Sequence, residues 1–206
     1  MSQSTSKRRI SLPLVVAGGV SSLVLAMGMS PTFSAFTASI QNSTDTTASG
    51  TLVMQETSGG VTCKSTDGTN GLSGNAATCS TINKYGGTST LLTPGGAANV
   101  TTVTIANTGT VGASSFSLTP GTCTQSALAT LAGSATDLCA KLHVKITTGS
   151  TTVYDGNAAA MTAQSLAPLG AGQSAAYTFA VSLDSSADNS YQGLQASQPL
   201  TWTFQV

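Results

Sequence analysis

The chain has 206 residues, only 7% of them charged, and its seven basic and seven acidic residues give a formal net charge of zero. Three of the basic residues, Lys7 to Arg9, lie before an apolar run. Without that segment, four lysines remain against seven acids, a net charge of −3. Such a chain has no basic patch, which argues against binding to nucleic acid or to an anionic membrane surface. Its length suffices for one domain with a sizeable core.

The N-terminal segment 1–34 has the organisation of a secretory signal peptide. A basic region at Lys7–Arg9 precedes the apolar stretch Leu12–Met29, and small residues follow. This pattern predicts cleavage between Ser34 and Ala35, and therefore a secreted protein of the cell surface or extracellular matrix with no membrane segment after cleavage. Glycine and serine interrupt the apolar stretch, which favours a cleaved signal; the alternative is an uncleaved membrane anchor.

The segment 35–47 that follows is polar, with isolated apolar residues. Phe36, Ala38 and Ile40 alternate as one face of an extended strand would. The segment contains no proline or glycine, and its only charge is Asp45. These properties suit a strand that is added to the sheet of another molecule. They also suit a disordered Ser/Thr linker, and the residues alone leave both interpretations open.

From residue 48 onward, apolar residues alternate with polar ones, which predicts one all-β domain over 48–206. About eight antiparallel strands with long crossing connections describe a jelly-roll-like β-sandwich. Turns are expected at Pro94–Gly96 and Asp155–Asn157. The strands expected from this pattern are Thr51–Glu56, Asn99–Asn107, Ser115–Leu118, Lys141–Thr147, Thr151–Tyr154, Ala176–Leu183 and Pro199–Val206.

One stretch departs from the alternation. In Ser126–Leu142, leucines recur at roughly helical spacing, which predicts a short helical insert that begins at Ser126 as its N-cap. The leucines concerned are Leu128, Leu131, Leu138 and Leu142. The expected architecture is thus a sandwich with a helix bridging its sheets.

The four cysteines, Cys63, Cys79, Cys123 and Cys139, all follow the predicted cleavage site. An even number of cysteines in an exported chain predicts disulfides. The first two and the last two are equally spaced, which favours the pairs Cys63–Cys79 and Cys123–Cys139 over the two other connectivities. Zinc is the competing interpretation, but the chain has neither a C-x-x-C pair nor a second histidine.

Catalytic and metal-binding motifs are not recognisable in the sequence, and we expect neither an enzyme nor a cofactor. His143 is the single histidine and lies on the polar face of a predicted strand, as a surface residue would. An H-E-x-x-H metal site therefore cannot be built. Asp184, Asp188 and Asn189 are candidate calcium ligands, but a solvated turn is the favoured interpretation because the sequence does not show the required number of ligands.

Three segments share motifs with a known family, and they occur in its order. The first segment begins with TFSAF at the end of the signal, which places an aromatic residue near the new N-terminus. ASGTLVM (Ala48–Met54) follows, and its S-G-T-L opens the first strand. Leu91–Leu118 contains an L-x-P-G turn, a strand and an Asn/Gly turn, and Asp188–Val206 contains N-x-Y-Q-G before an alternating last strand. Together they resemble the TasA/CalY (camelysin) family of secreted bacterial matrix proteins.

This resemblance implies a jelly-roll fold, processing by a SipW-type signal peptidase, and assembly of the chain with itself into extracellular or biofilm fibres. In that family the segment after the cleavage site can be donated as a strand to the next subunit, which implies a donor role for Phe36, Ala38 and Ile40. The expected disulfides and the scarcity of lysine depart from the family. The alternatives are a monomeric surface binding or adhesion module and, less favoured, a camelysin-like protease.

Overall fold

A computed structural model describes residues 39–42 and 44–206, and contacts divide the chain between Thr47 and Ala48 into two units. Some of the sequence-based expectations concern residues outside this described part and stay predictions. They are the signal peptide over 1–34, its cleavage between Ser34 and Ala35, and two of the three donor residues, Phe36 and Ala38.

The described residues of the first unit lie outside helices and strands. Their one local feature is a turn in which the Asn42 side chain accepts hydrogen bonds from the backbone nitrogen (3.2 Å) and hydroxyl (3.0 Å) of Thr44. Ile40, the third expected donor residue, is 99% exposed. Its whole side chain is therefore available to another surface, where its burial would be favourable.

The second unit, Ala48–Val206, is built from antiparallel sheets, and the predicted all-β class is confirmed. Short helices, α1 (Gly71–Gly74) and α2 (Leu138–Lys141), and 3-10 turns at Ser65–Asp67, Ala158–Ala160 and Asn189–Tyr191 lie in its connections. The strands are β1 (Met54–Ser58), β2 (Val61–Lys64), β3 (Asn99–Asn107), β4 (Ser115–Pro120), β5 (Thr124–Ala127), β6 (Leu142–Thr148), β7 (Thr151–Asn157), β8 (Gln164–Leu166), β9 (Ser174–Leu183), β10 (Leu194–Ser197) and β11 (Leu200–Gln205).

Six strands form one sheet in the order β2-β1-β3-β9-β6-β7, and the facing strands are ordered β11-β4-β8. A two-stranded ladder, β10-β5, continues the β11-β4 pair, because only Gln198 and Pro199 separate β10 from β11. The backbone nitrogen of Gly121 donates to the Pro199 carbonyl (2.7 Å) and joins the two ladders. The chain crosses between the layers after β3, β5, β7, β8 and β9, as a sandwich with long connections requires.

Aromatic side chains from both layers form the centre of the core. Tyr177 and Phe179 of β9 are buried, and they meet Trp202 of β11 at ring-centroid distances of 5.0 and 6.2 Å. Phe116 of β4 lies 5.9 Å from Tyr177 and 4.7 Å from Phe204. The contacts of Tyr177 and Phe179 cross from one sheet to the other, whereas Phe116 and Phe204 are partners within one sheet. The strict alternation of each strand has thus placed its large residues between the layers.

The predicted helical insert is wrong over most of its length. Ser126 lies in β5, opposite Gln195 of β10, and only Leu138–Lys141 is helical. The strand pairing satisfies the backbone groups there, and Leu131 is 89% exposed instead of packed. Long-range pairing has therefore overridden a local leucine pattern.

The predicted turn at Asp155–Asn157 is also wrong. These residues complete β7, where Asp155 pairs with Lys145 and Asn157 with His143 across the ladder to β6. The chain turns at Ala158–Ala160, and the Asn157 side chain accepts a hydrogen bond from the Ala160 nitrogen (2.9 Å). The asparagine thus caps the turn from the end of the strand, one position before the turn itself.

Candidate functional site

The structure pairs the cysteines as their equal spacing predicts. Cys63 is bonded to Cys79, and Cys123 is bonded to Cys139, each pair with its Cα atoms 6.0 Å apart. Two disulfides in one domain are typical of proteins that fold in an oxidising environment.

One edge of the sandwich has room for another strand. β10 and β11 pair with β5 and β4 on one side, and within 39–42 and 44–206 no strand pairs with their other side. An open strand edge presents unpaired backbone donors and acceptors that can bind an extended segment. β7 is also an edge strand, but it is less suited to binding an extended segment. Asp155 on β7 and its partners His143 and Lys145 on β6 place charged groups at that edge.

The open edge of β10 lines a groove of about 620 Å³. The run Leu194–Leu200 forms one side of this acceptor groove, and the loop Cys79–Pro94 contributes the opposite wall. Leu91 and Leu128 also line the groove, although 71% and 38% of their surface is exposed. Further apolar lining is provided by Ile82, Leu138, Leu142, Val181 and Leu183.

A buried polar network fixes the loop wall to both sheets. The Lys84 Nζ lies 2.7 Å from Oε1 of Glu56 on β1, and each side chain is only 10% exposed. The same carboxylate oxygen accepts a hydrogen bond from Trp202 Nε1 (3.0 Å) on β11. This network was not predicted from the sequence, although Glu56 lies in phase with Leu52 and Met54 and therefore points inward.

A second anchor joins the same loop to the end of β10. The Tyr85 hydroxyl donates to the side-chain oxygen of Gln198, and burial raises the pKa of Tyr85 above its ordinary value, with a further contribution from Tyr154. The Gln198 amide in turn donates to the carbonyls of Gly121 and Ala158, both at 3.0 Å. Because each polar group has a partner, this wall is held in one position.

The acceptor groove lies far from the point where the domain begins. The segment before β1 pairs beside the end of β3, where the Thr110 nitrogen donates to the Thr51 carbonyl (2.7 Å). The groove lies at the other end of β3, where it is lined by Asn99. β3 has nine residues. At ~3.3 Å per residue its two ends are about 26 Å apart.

The other candidate residues occupy ordinary surface positions. His143 is exposed on β6, with Nε2 2.8 Å from Oδ1 of Asp155. The hydrogen bond from Lys145 and the nearby positive charges hold the pKa of Asp155 below its usual value. In the part of the chain that the structure describes, no group of three or more His, Cys, Asp or Glu side chains could hold a metal ion.

The candidate calcium ligands are engaged in local turns. Asp184 accepts a hydrogen bond from the Ser186 nitrogen (2.7 Å), and Asp188 accepts hydrogen bonds from the Ser190 hydroxyl (2.6 Å) and nitrogen (2.9 Å). These bonds lower the pKa of both carboxyls. The arrangement is that of solvated turns. Separately, none of the helices among the described residues is long and apolar enough to cross a membrane.

No model of a known protein family matches the chain, and no curated protein matches it. The functional interpretation therefore depends on the open edge, the groove beside it and the segment that precedes the domain.

Proposed function

We propose that the chain is a secreted structural subunit that assembles with itself into extracellular fibres, in the manner of the TasA/CalY family. The segment 35–47 of one subunit acts as the donor strand and occupies the acceptor groove of the next. The observation that carries the proposal is the unpaired edge of β10, which lies along a groove lined by both apolar and polar residues within the described domain.

The donor segment suits this groove in chemistry and in spacing. Phe36, Ala38 and Ile40 point to one side in an extended chain, about 6.6 Å from one to the next. Their apolar side chains match the leucines of the groove, while the backbone of the segment pairs with the open edge of β10. Asp45 is the one charge in 35–47 and lies beyond the apolar face.

Strand donation joins two different surfaces of identical subunits, which favours a chain of subunits over a closed dimer. The domain begins at one end of β3 and the acceptor groove lies at the other end. When extended, the donor segment 35–47 reaches about 45 Å. Contact between two different surfaces on identical subunits repeats without closing unless rotation forms a ring, so it generates filaments.

Export and processing would precede assembly. Cleavage after Ser34 by a SipW-type signal peptidase would make Ala35 the N-terminus and free the donor segment from the signal. The disulfides support folding in an oxidising compartment, which accords with a location at the cell surface or in the extracellular matrix.

The alternative is a monomeric surface binding module, and one observation favours it. The groove volume of about 620 Å³ falls in the range of pockets that hold small molecules. In that case the segment 35–47 would serve as a tether, and purified protein would stay monomeric.

Paired substitutions in the donor segment test the proposal. The chain starting at Ala35 is purified with Phe36→Asp and Ile40→Asp, which place charge on the apolar face. The matched control carries Thr37→Asp and Gln41→Asp, which add the same charge to the opposite face. Sedimentation and electron microscopy should show fibres for wild type and control and none for the first variant. Equal assembly of both variants, or a wild type that stays monomeric, would refute the donor mechanism.

A further inference from the structure

Each wall of the acceptor groove is tied to the sandwich by one of the two disulfides. Cys79 lines the groove at the start of the loop wall, and it is bonded to Cys63 on β2. This bond closes a segment whose residues 72–78 are all exposed. Few packing contacts are therefore present to hold that part of the chain if the bond opens.

The second disulfide, Cys123–Cys139, lies on the β10 side of the groove. Cys123 immediately precedes β5, the partner of β10, and it is bonded to Cys139 in α2. The neighbouring Leu138 lines the groove. Residues 126–132, within the segment that this bond closes, are likewise all exposed.

The centre of the core lies apart from both bonds, although Cys63, Cys79 and Cys123 pack against its margin. Its aromatic centre comes from β4, β9 and β11, and those strands contain no cysteine. Tyr177 and Phe179 are buried between the layers. Opening the disulfides should therefore loosen the Cys79 end of the loop wall and the exposed stretch 126–132, while the packed sheets and the anchors at Lys84 and Tyr85 persist, because local openings occur where buried contacts are fewest.

We infer that the acceptor groove is redox-gated: it accepts a donor strand only when both disulfides are formed. A subunit with reduced cysteines is folded in its core but cannot accept a neighbour. After export, exchange with a disulfide oxidant, which takes two electrons from each cysteine pair and leaves as a dithiol, makes the subunit competent. This inference rests on the proposed function, because it names the condition under which the proposed acceptor operates.

The chemistry of the gate is thiol–disulfide exchange. A thiolate of dithiothreitol attacks one sulfur of Cys63–Cys79 and forms a mixed disulfide, which releases the other cysteine as a thiolate. The second thiol of the reagent then displaces the remaining cysteine. Two electrons pass to the cysteine pair, and the reagent leaves as a cyclic disulfide.

The test compares oxidised chain, starting at Ala35, with the same chain reduced by dithiothreitol and alkylated. Fibre yield is measured by sedimentation, and hydrogen exchange is followed in the loop wall Cys79–Pro94 and in Tyr177–Val181 of the core. We expect reduction to abolish fibres and to accelerate exchange at the Cys79 end of the loop wall, while the core amides stay protected. The variants Cys63→Ser/Cys79→Ser and Cys123→Ser/Cys139→Ser each retain one disulfide and should each lose fibre formation.

The outcomes separate this inference from the proposed function. Fibres from reduced chain with a protected core would overturn the gate and leave strand donation intact. Loss of core protection in both single-pair variants would also overturn it, because the bonds would then maintain the sandwich as a whole. Oxidised chain that forms no fibres would overturn the proposed function, and the gate with it.

Discussion

Replacement of Lys84 by methionine is the sharpest test of how the groove wall is held. Methionine keeps an unbranched apolar chain but removes the positive charge 2.7 Å from Glu56. Breaking one partner of a buried ion pair costs ~3–5 kcal/mol, because a charge is left buried without compensation. Each side chain is 10% exposed, and Trp202 still donates to the carboxylate, so we expect the lower end of that range.

The double variant Lys84→Met/Glu56→Gln is the matched control. The neutral amide still accepts the hydrogen bond from Trp202 but no longer requires a counter-charge, so stability should return to within ~1 kcal/mol of wild type. Urea unfolding followed by fluorescence gives both values, because Trp202 is the single tryptophan and lies at the network. A single variant that loses less than ~1 kcal/mol, or a double variant as unstable as the single, would refute this account of the wall.

Two further predictions concern the sandwich. Asn107→Ala should destabilise by ~2–3 kcal/mol in urea unfolding, because the buried amide donates to the carbonyls of Val111 and Leu169 and its loss leaves buried groups unpaired; a change below ~1 kcal/mol would contradict this. Asp155→Asn should lower the melting temperature near neutral pH and have no effect in strong acid. Its folded pKa is depressed below 3.8 by Lys145, so its stabilisation is present above the unfolded pKa and lost as pH falls through the folded pKa. A variant that is equally destabilised at about pH 2 and about pH 7 would show that the charge is not the cause.

The strands were predictable where one face is buried and the other is exposed. β3 has the bounds Asn99–Asn107 that the alternation predicts, and its inward Val103 and Ile105 are fully buried. The pairing of the cysteines also followed from their spacing alone. These features depend on local sequence, since alternation and loop closure are local properties.

The acceptor groove was not predictable, because it depends on which strands remain unpaired. β10 has the sequence LQAS, four residues whose alternation is too short to identify a strand, and its pairing with β5 joins residues far apart in the chain. Leucines at helical spacing pointed instead to a helix at Ser126, a local signal that long-range pairing overrode. Glu56 was recognisable as inward-facing, but its partner Lys84 lies in a loop without periodicity.

Cross-linking from position 40 tests the central claim most directly. Ile40 is replaced by photoreactive benzoylphenylalanine, fibres are grown from mixed isotope-labelled and unlabelled chains, and cross-linked peptides are identified by mass spectrometry. The account predicts links between different chains that join position 40 to Leu194–Leu200 or to the loop wall Cys79–Pro94. Links confined to one chain, or links to another edge such as β2 or β7, would contradict it.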